Sequence, residues 1–213
     1  RQCVIGSQIA LSLFGQLHMM VLRKLPLPLQ RVLLQVRFRF IKTTMKNNQK
    51  IDKLDLLRKK TLISLVEGIP FCNTLGIQVD YLGNELTAHL PFNEEFIGNP
   101  VIPALHGGVI GSFLEITAIV QLSWTSFLLH SQQKDGFEEM VNLTEEKNII
   151  SDLPKTIDIT IDYLHSGLPL ESFARATVNR IGRRYASVSV KTWQTDPNKP
   201  FARASGHFLI SKN

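Results

Sequence analysis

Between Phe96 and Gln133 the chain carries one charged side chain, Glu115, counting Asp, Glu, Lys and Arg. The stretch from Val109 to Leu129 is mostly apolar, too long for a strand, and reads as a helix from about Gly108 to Leu129. A helix that apolar on every side must be covered on every side, by other protein or by lipid. Glu115 sits inside it, where desolvation disfavours a charged carboxylate unless its surroundings make use of it.

The flanking sequence decides between protein and lipid. Ahead of the helix, Asp52 to Ile69 has helical spacing, with Leu54, Leu57, Leu62, Leu65 and Val66 on one side and Lys53, Arg58 and Lys59 on the other. Leu75-Gly-Ile77-Gln-Val79-Asp-Tyr81 then alternates, as does Leu86-Thr-Ala88-His-Leu90, and Gly83-Asn84 between them signals a hairpin. Phe92 to Leu105 is irregular. After a polar, acidic connection from Ser131 to Leu153, four more runs alternate. Ile157, Ile159, Ile161 and Tyr163 mark the first; Phe173 to Arg180, Tyr185 to Trp193 and Phe201 to Ile210 come next. The order is helix, two strands, one long helix, four strands. It predicts an α+β fold in which a six-strand antiparallel sheet wraps the long helix, with an additional N-terminal helix. Although 21 apolar residues suffice to span a bilayer, Glu115 near the middle costs about 2.5–3.5 kcal/mol on insertion scales. Amphipathic strands on both sides favour the sheet as the cover, and no firm membrane association is expected.

Charge sharpens the division of the chain. Residues 1–51 hold nine basic residues and no acid, which leaves 15 Lys and Arg against all 18 Asp and Glu in the remainder. The body is therefore mildly acidic despite the formal net charge of +6, and a nucleic-acid-binding reading loses its main support. Residues 1–44 form a basic apolar extension ahead of a domain at 45–213. Two readings of it stay open: a targeting or membrane-surface segment, or upstream sequence foreign to the native protein, since Met45-Lys-Asn-Asn-Gln reads as an ordinary start. With only Cys3 and Cys72, a disulfide framework is not expected and a reducing, cytoplasmic setting fits.

Glu115 shares a helical face with Gly108, Gly111 and Ser112. The turn His106-Gly107-Gly108 starts the helix, and glycines there present bare backbone N–H groups at its positive end. Such donors polarise a carbonyl oxygen, while a carboxylate acts as general base on water or attacks the carbon itself. Acyl hydrolysis is the chemistry this pairing suits; a buried acid paired with a basic group from the sheet is the bland alternative. His106 suits loop hydrogen bonding better than proton transfer. No histidines stand at metal-ligand spacing, and neither a phosphate-binding glycine loop nor a Gly-x-Ser-x-Gly elbow is present.

Pro103-Ala-Leu-His-Gly-Gly-Val-Ile-Gly-Ser-Phe-Leu-Glu115 resembles the helix-start motif of hotdog-fold acyl-CoA thioesterases of the PaaI type. The resemblance continues through Ile161-Asp-Tyr-Leu-His-Ser-Gly167, Phe173-Ala-Arg-Ala-Thr-Val178, Gly182-Arg-Arg-Tyr-Ala-Ser-Val188 and Ala202-Arg-Ala-Ser-Gly-His-Phe208, covering roughly residues 60–211 in order. It implies a hotdog fold, a homo-oligomer (a dimer or a dimer of dimers) with active sites at the dimer interface, an acyl-CoA substrate, and no metal or cofactor. Residue by residue, it places the base or nucleophile on Glu115, the oxyanion N–H on Gly107 and a loop-shaping role on His106. Gly108, Ser112 and Asn99 would line the substrate, the last standing one residue from the family's usual Asn position, here Pro100. Arg183 and Arg184 would meet coenzyme A phosphates. Two rival readings remain: a non-catalytic acyl-CoA-binding hotdog protein, and a 3-hydroxyacyl thioester dehydratase. The second needs a His where this chain has Glu95.

Overall fold

Alternating burial builds the sheet and tells which face meets the helix. The structure is a computed structural model that describes residues 55–131 and 153–210. The expectations for residues 1–44 and for the connection after Ser131 fall outside these residues. The chain divides into a unit Arg1–Leu56, almost wholly outside the described residues, and a unit Leu57–Asn213, to which the remaining described residues belong.

Within this second unit the first helix, α1, occupies residues 57–67 and buries Leu57, Leu62 and Leu65. The short α2 (Pro70–Leu75) comes next, closed by Gly76 in the left-handed region at φ 66°. Leu75 thus ends a helix rather than opening a strand, because Pro at the first helical position and Gly beyond the last outweigh the local alternation. Then come β1 (Gln78–Leu82) and β2 (Glu85–Leu90), joined at Gly83, whose φ of 66° suits the tight turn. The segment read as irregular contains a single 3-10 turn at Glu94–Phe96 and a small ribbon of β3 (Ile97–Asn99) and β4 (Ala104–Leu105). The long helix α3 runs Gly107–Ser131, and β5 (Lys155–Tyr163), β6 (Ser172–Ile181), β7 (Tyr185–Trp193) and β8 (Ala202–Leu209) complete the unit.

The six long strands form one antiparallel sheet in the order β1-β2-β6-β7-β8-β5. Its inner face is rich in small residues: Ala88, Ala174, Ala186, Ala202 and Ala204 are all buried, so α3 can lie close against it. Ile110, Phe113, Leu114, Ile116, Val120, Leu122 and Trp124 of α3 join the same core cluster, to which α1 and α2 add Leu62, Leu65, Cys72 and Leu75. Each fully buried side chain of this kind contributes roughly 1.5–3 kcal/mol, enough in sum to offset the cost of one half-buried acid. By length and composition α3 is apolar enough to cross a membrane, yet over half of its most apolar window is buried inside this fold. It is the core helix of a sheet-wrapped domain.

Strand β5 carries an irregularity beside the core helix. Its register against β8 slips between Thr156 and Asp158, so that Thr156 faces Phe208 and Asp158 faces His207. The bulge pushes Ile157 outward to 51% exposure, off the inward row that alternation assigns it, and turns Thr156 toward the helix. Gly206, the partner of Ile159 just beyond the bulge, lies close to it: a Cβ there would come within 2.7 Å of the Asp158 carbonyl oxygen, so this backbone path requires glycine at that position.

Candidate functional site

The helix start is assembled from three directions. The His106 N–H donates to the Phe96 carbonyl at 2.7 Å, and the Leu105 N–H to the Gly167 carbonyl at 2.9 Å, which ties the ribbon to the sheet. The His106 carbonyl accepts the first helical bond, from Ile110 at 3.1 Å, making His106 the N-cap residue. Its own ring supplies the cap: Nδ1 accepts the Gly108 N–H at 2.9 Å. That bond assigns the ring proton of a neutral imidazole to Nε2. Gly98 lets the loop close over His106, since a Cβ there would sit 2.8 Å from the His106 Cα.

The two glycines are thereby made unequal. The Gly108 N–H is taken by His106, while the Gly107 N–H meets no acceptor among the described residues. A free N–H at the first position of a 25-residue helix is a donor backed by the helix dipole. Tyr163, at the end of β5, donates its hydroxyl to the Gly107 carbonyl at 2.8 Å and lays its ring where a side chain on Gly107 would be, 3.3 Å from that Cβ position. Asn99 holds the loop before His106: its Oδ1 accepts the N–H groups of Val101 at 3.0 Å and Ile102 at 3.3 Å. Ser112 donates back to the Gly108 carbonyl at 2.9 Å.

Glu115 lies half-buried two turns further along α3, and Thr156 of β5 donates to its Oε1 at 2.5 Å. No cation among the described residues pairs with it, and Oε2 takes no hydrogen bond among them. The acid is held by one neutral donor with its second oxygen open, which is the state a base needs rather than that of a structural ion pair. Eight residues separate Gly107 from Glu115, about 12 Å along the axis at 1.5 Å per residue. One carbonyl group cannot rest on the Gly107 N–H and meet the Glu115 carboxylate of the same protomer.

Arg183 and Arg184 are exposed at the β6–β7 turn, on the wall of an open groove of about 510 Å³. They lie at the sheet end that carries Thr156, because Thr156, Phe208, Ala186 and Ile181 form one register row across four strands. A second concavity of about 500 Å³ lies between α2 and residues 91–96 and touches none of the candidate site residues. Cys72 is buried and its thiol is pushed up to about 11 by that burial, so it is a poor nucleophile.

Thr156 and Tyr163 are the partners that sequence reasoning missed. Strict alternation in β5 turns Thr156 to solvent, and only the bulge turns it inward. Tyr163 stands in the quoted strand motif, but its target is a backbone carbonyl, which no side-chain pattern reveals.

No protein-family profile matches the sequence. A medium/long-chain acyl-CoA thioesterase of Salmonella typhimurium, YigI, is 28% identical over 130 residues, spanning 60% of this chain and 77% of that relative. A crystal structure of a Chromobacterium violaceum protein superposes with a TM-score of 0.50 at 30% identity, over 74% of this chain and 95% of the other. A Shewanella oneidensis protein related to the thioesterase superfamily gives 0.57 at 22% identity over 74% and 97%, a likeness of fold.

Proposed function

We propose that the chain is a hotdog-fold thioesterase of the PaaI type, hydrolysing an acyl-CoA to the free acid and coenzyme A, a reading that the Salmonella relative supports. The observation that carries this reading is the Glu115 carboxylate, held at one oxygen by Thr156 and, among the described residues, without a cation or a donor at the other. In the general-base route, Oε2 takes a proton from water as the water oxygen bonds to the thioester carbon. The carbonyl π pair moves onto oxygen, where the Gly107 N–H stabilises it. Collapse then breaks the C–S bond, and the departing thiolate recovers the proton from Glu115. In the nucleophilic route the carboxylate attacks the thioester carbon and the C–S bond breaks to release the thiolate; water then cleaves the resulting anhydride to the free acid and the Glu115 carboxyl, whose proton passes to the thiolate. His106 and Asn99 shape the loop, Gly108 and Ser112 line the acyl channel, and Arg183 and Arg184 meet the coenzyme A phosphates.

The reading requires a second copy of the chain, since Gly107 and Glu115 stand about 12 Å apart in one protomer. The sheet ends at β5, whose outer edge pairs with nothing among the described residues and carries exposed Ile157 and Tyr163. Antiparallel pairing of two β5 edges about a two-fold axis near the strand's midpoint lays the Thr156 end of each beside the Tyr163 end of the other. Glu115, bound to Thr156, then approaches the partner's Gly107, which carries Tyr163 on its carbonyl. Two complete sites result from one symmetric contact. A reducing, cytoplasmic setting suits the free Cys72.

The test is release of free coenzyme A, monitored with a thiol reagent, first from the medium and long acyl chains that the Salmonella relative's name suggests. Glu115→Gln is expected to lower turnover by about 100-fold or more while the protein stays folded, the scale of lost general-base assistance. Tight acyl-CoA binding without turnover in the wild type would make the protein a binder instead.

A further inference from the structure

Away from Glu115, the outward face of the sheet gathers a second set of reactive side chains. Ala186, Val188 and Phe208 are buried against the core, so Ser187 of β7 and His207 of β8, alternating with them, face outward. These two are register partners, and Asp158 of β5 is the partner of His207 on its other side. Arg180 of β6 faces Ser187, so four strands contribute one row in the order Arg180, Ser187, His207, Asp158. A bulge stands at each end of that row: β6 slips between Val178 and Arg180, and β5 between Thr156 and Asp158. Bulges re-aim side chains and recur beside active sites.

Each neighbour acts differently on the serine. The Asp158 carboxylate accepts from His207 Nδ1 at 3.0 Å, with its second oxygen at 3.1 Å. Nδ1 is therefore the protonated atom of a neutral ring, and Nε2, turned away from Asp158, is left as a base. Paired residues on one sheet face hold their Cβ atoms about 4.5–5.5 Å apart, a gap that a hydroxyl and an imidazole bridge by rotation. The Ser187 hydroxyl makes no hydrogen bond among the described residues and is free to make that turn. On its other side the Arg180 guanidinium, paired with no carboxylate among the described residues, brings positive charge to where an ester oxygen becomes negative.

We propose that Ser187 and His207, with Asp158 as the positioning residue, form a second hydrolytic centre for small carboxylic esters that carry a negative charge. Both open onto the 510 Å³ groove, whose wall holds three arginines and no acid, and this favours anionic substrates. Nε2 takes the Ser187 proton as Oγ bonds to the ester carbon, and the carbonyl π pair moves onto oxygen. Collapse breaks the C–O bond to the alcohol, which leaves with the proton from Nε2. Water then attacks the acyl–serine ester while giving a proton to Nε2, and that proton returns to the Ser187 oxygen as the acid departs. This centre does not depend on the thioesterase reading, since it shares no catalytic group with Glu115.

The experiment is run in the Glu115→Gln protein, so that the helix carboxylate contributes nothing. Nitrophenol release is followed from the acetate esters of para-nitrophenol and of a carboxylated nitrophenol, and a fluorophosphonate probe reports activated serines by peptide mass spectrometry. The expected result is turnover of both esters, with kcat/KM about tenfold or more higher for the carboxylated one. Ser187→Ala and His207→Gln are each expected to lower the rate by about 100-fold or more, with an unchanged unfolding temperature. Asp158→Asn is expected to lower kcat about tenfold at constant KM, and Asp158→Glu to recover part of it. The probe is expected on Ser187. Ester turnover that survives Ser187→Ala, or a probe adduct only on other residues, overturns the proposal. So does the absence of both turnover and labelling in the folded Glu115→Gln protein. Equal rates for the two esters overturn the assigned substrate class.

Discussion

Thr156→Val removes one hydroxyl and keeps the side-chain volume, so it isolates the bond that holds Glu115. That bond is 2.5 Å long, runs from a neutral hydroxyl to a carboxylate and lies half-buried between β5 and α3. Hydrogen bonds to charged groups contribute about 1.5–3 kcal/mol. If the carboxylate must be held in one rotamer as the reaction proceeds, losing that amount in the transition state corresponds to roughly 10–100-fold in kcat, at 1.36 kcal/mol per tenfold. Binding of the coenzyme A portion does not depend on this bond, so KM is expected to stay within about threefold. Steady-state thiol release across an acyl-CoA concentration series gives both constants, and Thr156→Ser, which keeps the hydroxyl, is expected to recover most of the rate. A Thr156→Val protein with wild-type kcat and an unchanged unfolding temperature would refute the reasoning: Glu115 would then need no fixed partner.

The same geometry carries two further expectations. Tyr163→Phe deletes only the donor to the Gly107 carbonyl and is expected to lower kcat about three- to tenfold through a looser helix start, with KM and folding nearly unchanged; equal kcat for the two proteins would reduce Tyr163 to packing. In a Cys3→Ser background Cys72, its thiol raised to about 11 by burial, is expected to resist a thiol reagent at pH 8 until the protein is unfolded. Because the folded thiol ionises later than the unfolded one, stability is expected to fall as pH rises from about 9 to about 11, and a denaturant series across that range checks the sign.

The strands and the long helix were legible in the sequence because their periodicities are unambiguous: Leu86, Ala88 and Leu90 alternate inward as the pattern requires, and α3 spans the apolar stretch. Local signals failed where a tertiary feature overrode them. The bulge between Thr156 and Asp158 reversed the facing of Thr156 and Ile157, a one-residue slip that no alternation count detects. Glu115 and the glycine turn stood out as chemistry, but their shared helical face does not show how far apart along the helix they stand. The axial rise of the helix, not its face, sets their separation and directs attention to the open β5 edge. The unequal fates of the Gly107 and Gly108 N–H groups depend on a histidine ring turned back onto its own helix, a choice of rotamer that sequence does not encode visibly.

The two-copy site can be tested by mixing two inactive proteins. Glu115→Gln removes the base, and Gly107→Pro removes the free N–H at a helix position where proline is tolerated. Each is expected to be nearly inactive alone. Unfolded and refolded together in equal amounts, half of the dimers pair the two variants, and each of those holds one doubly damaged site and one intact site. The account predicts recovery to roughly a quarter of wild-type activity. Activity no higher than that of the separate variants, with mixed dimers present, would contradict it and return the reaction to a single chain.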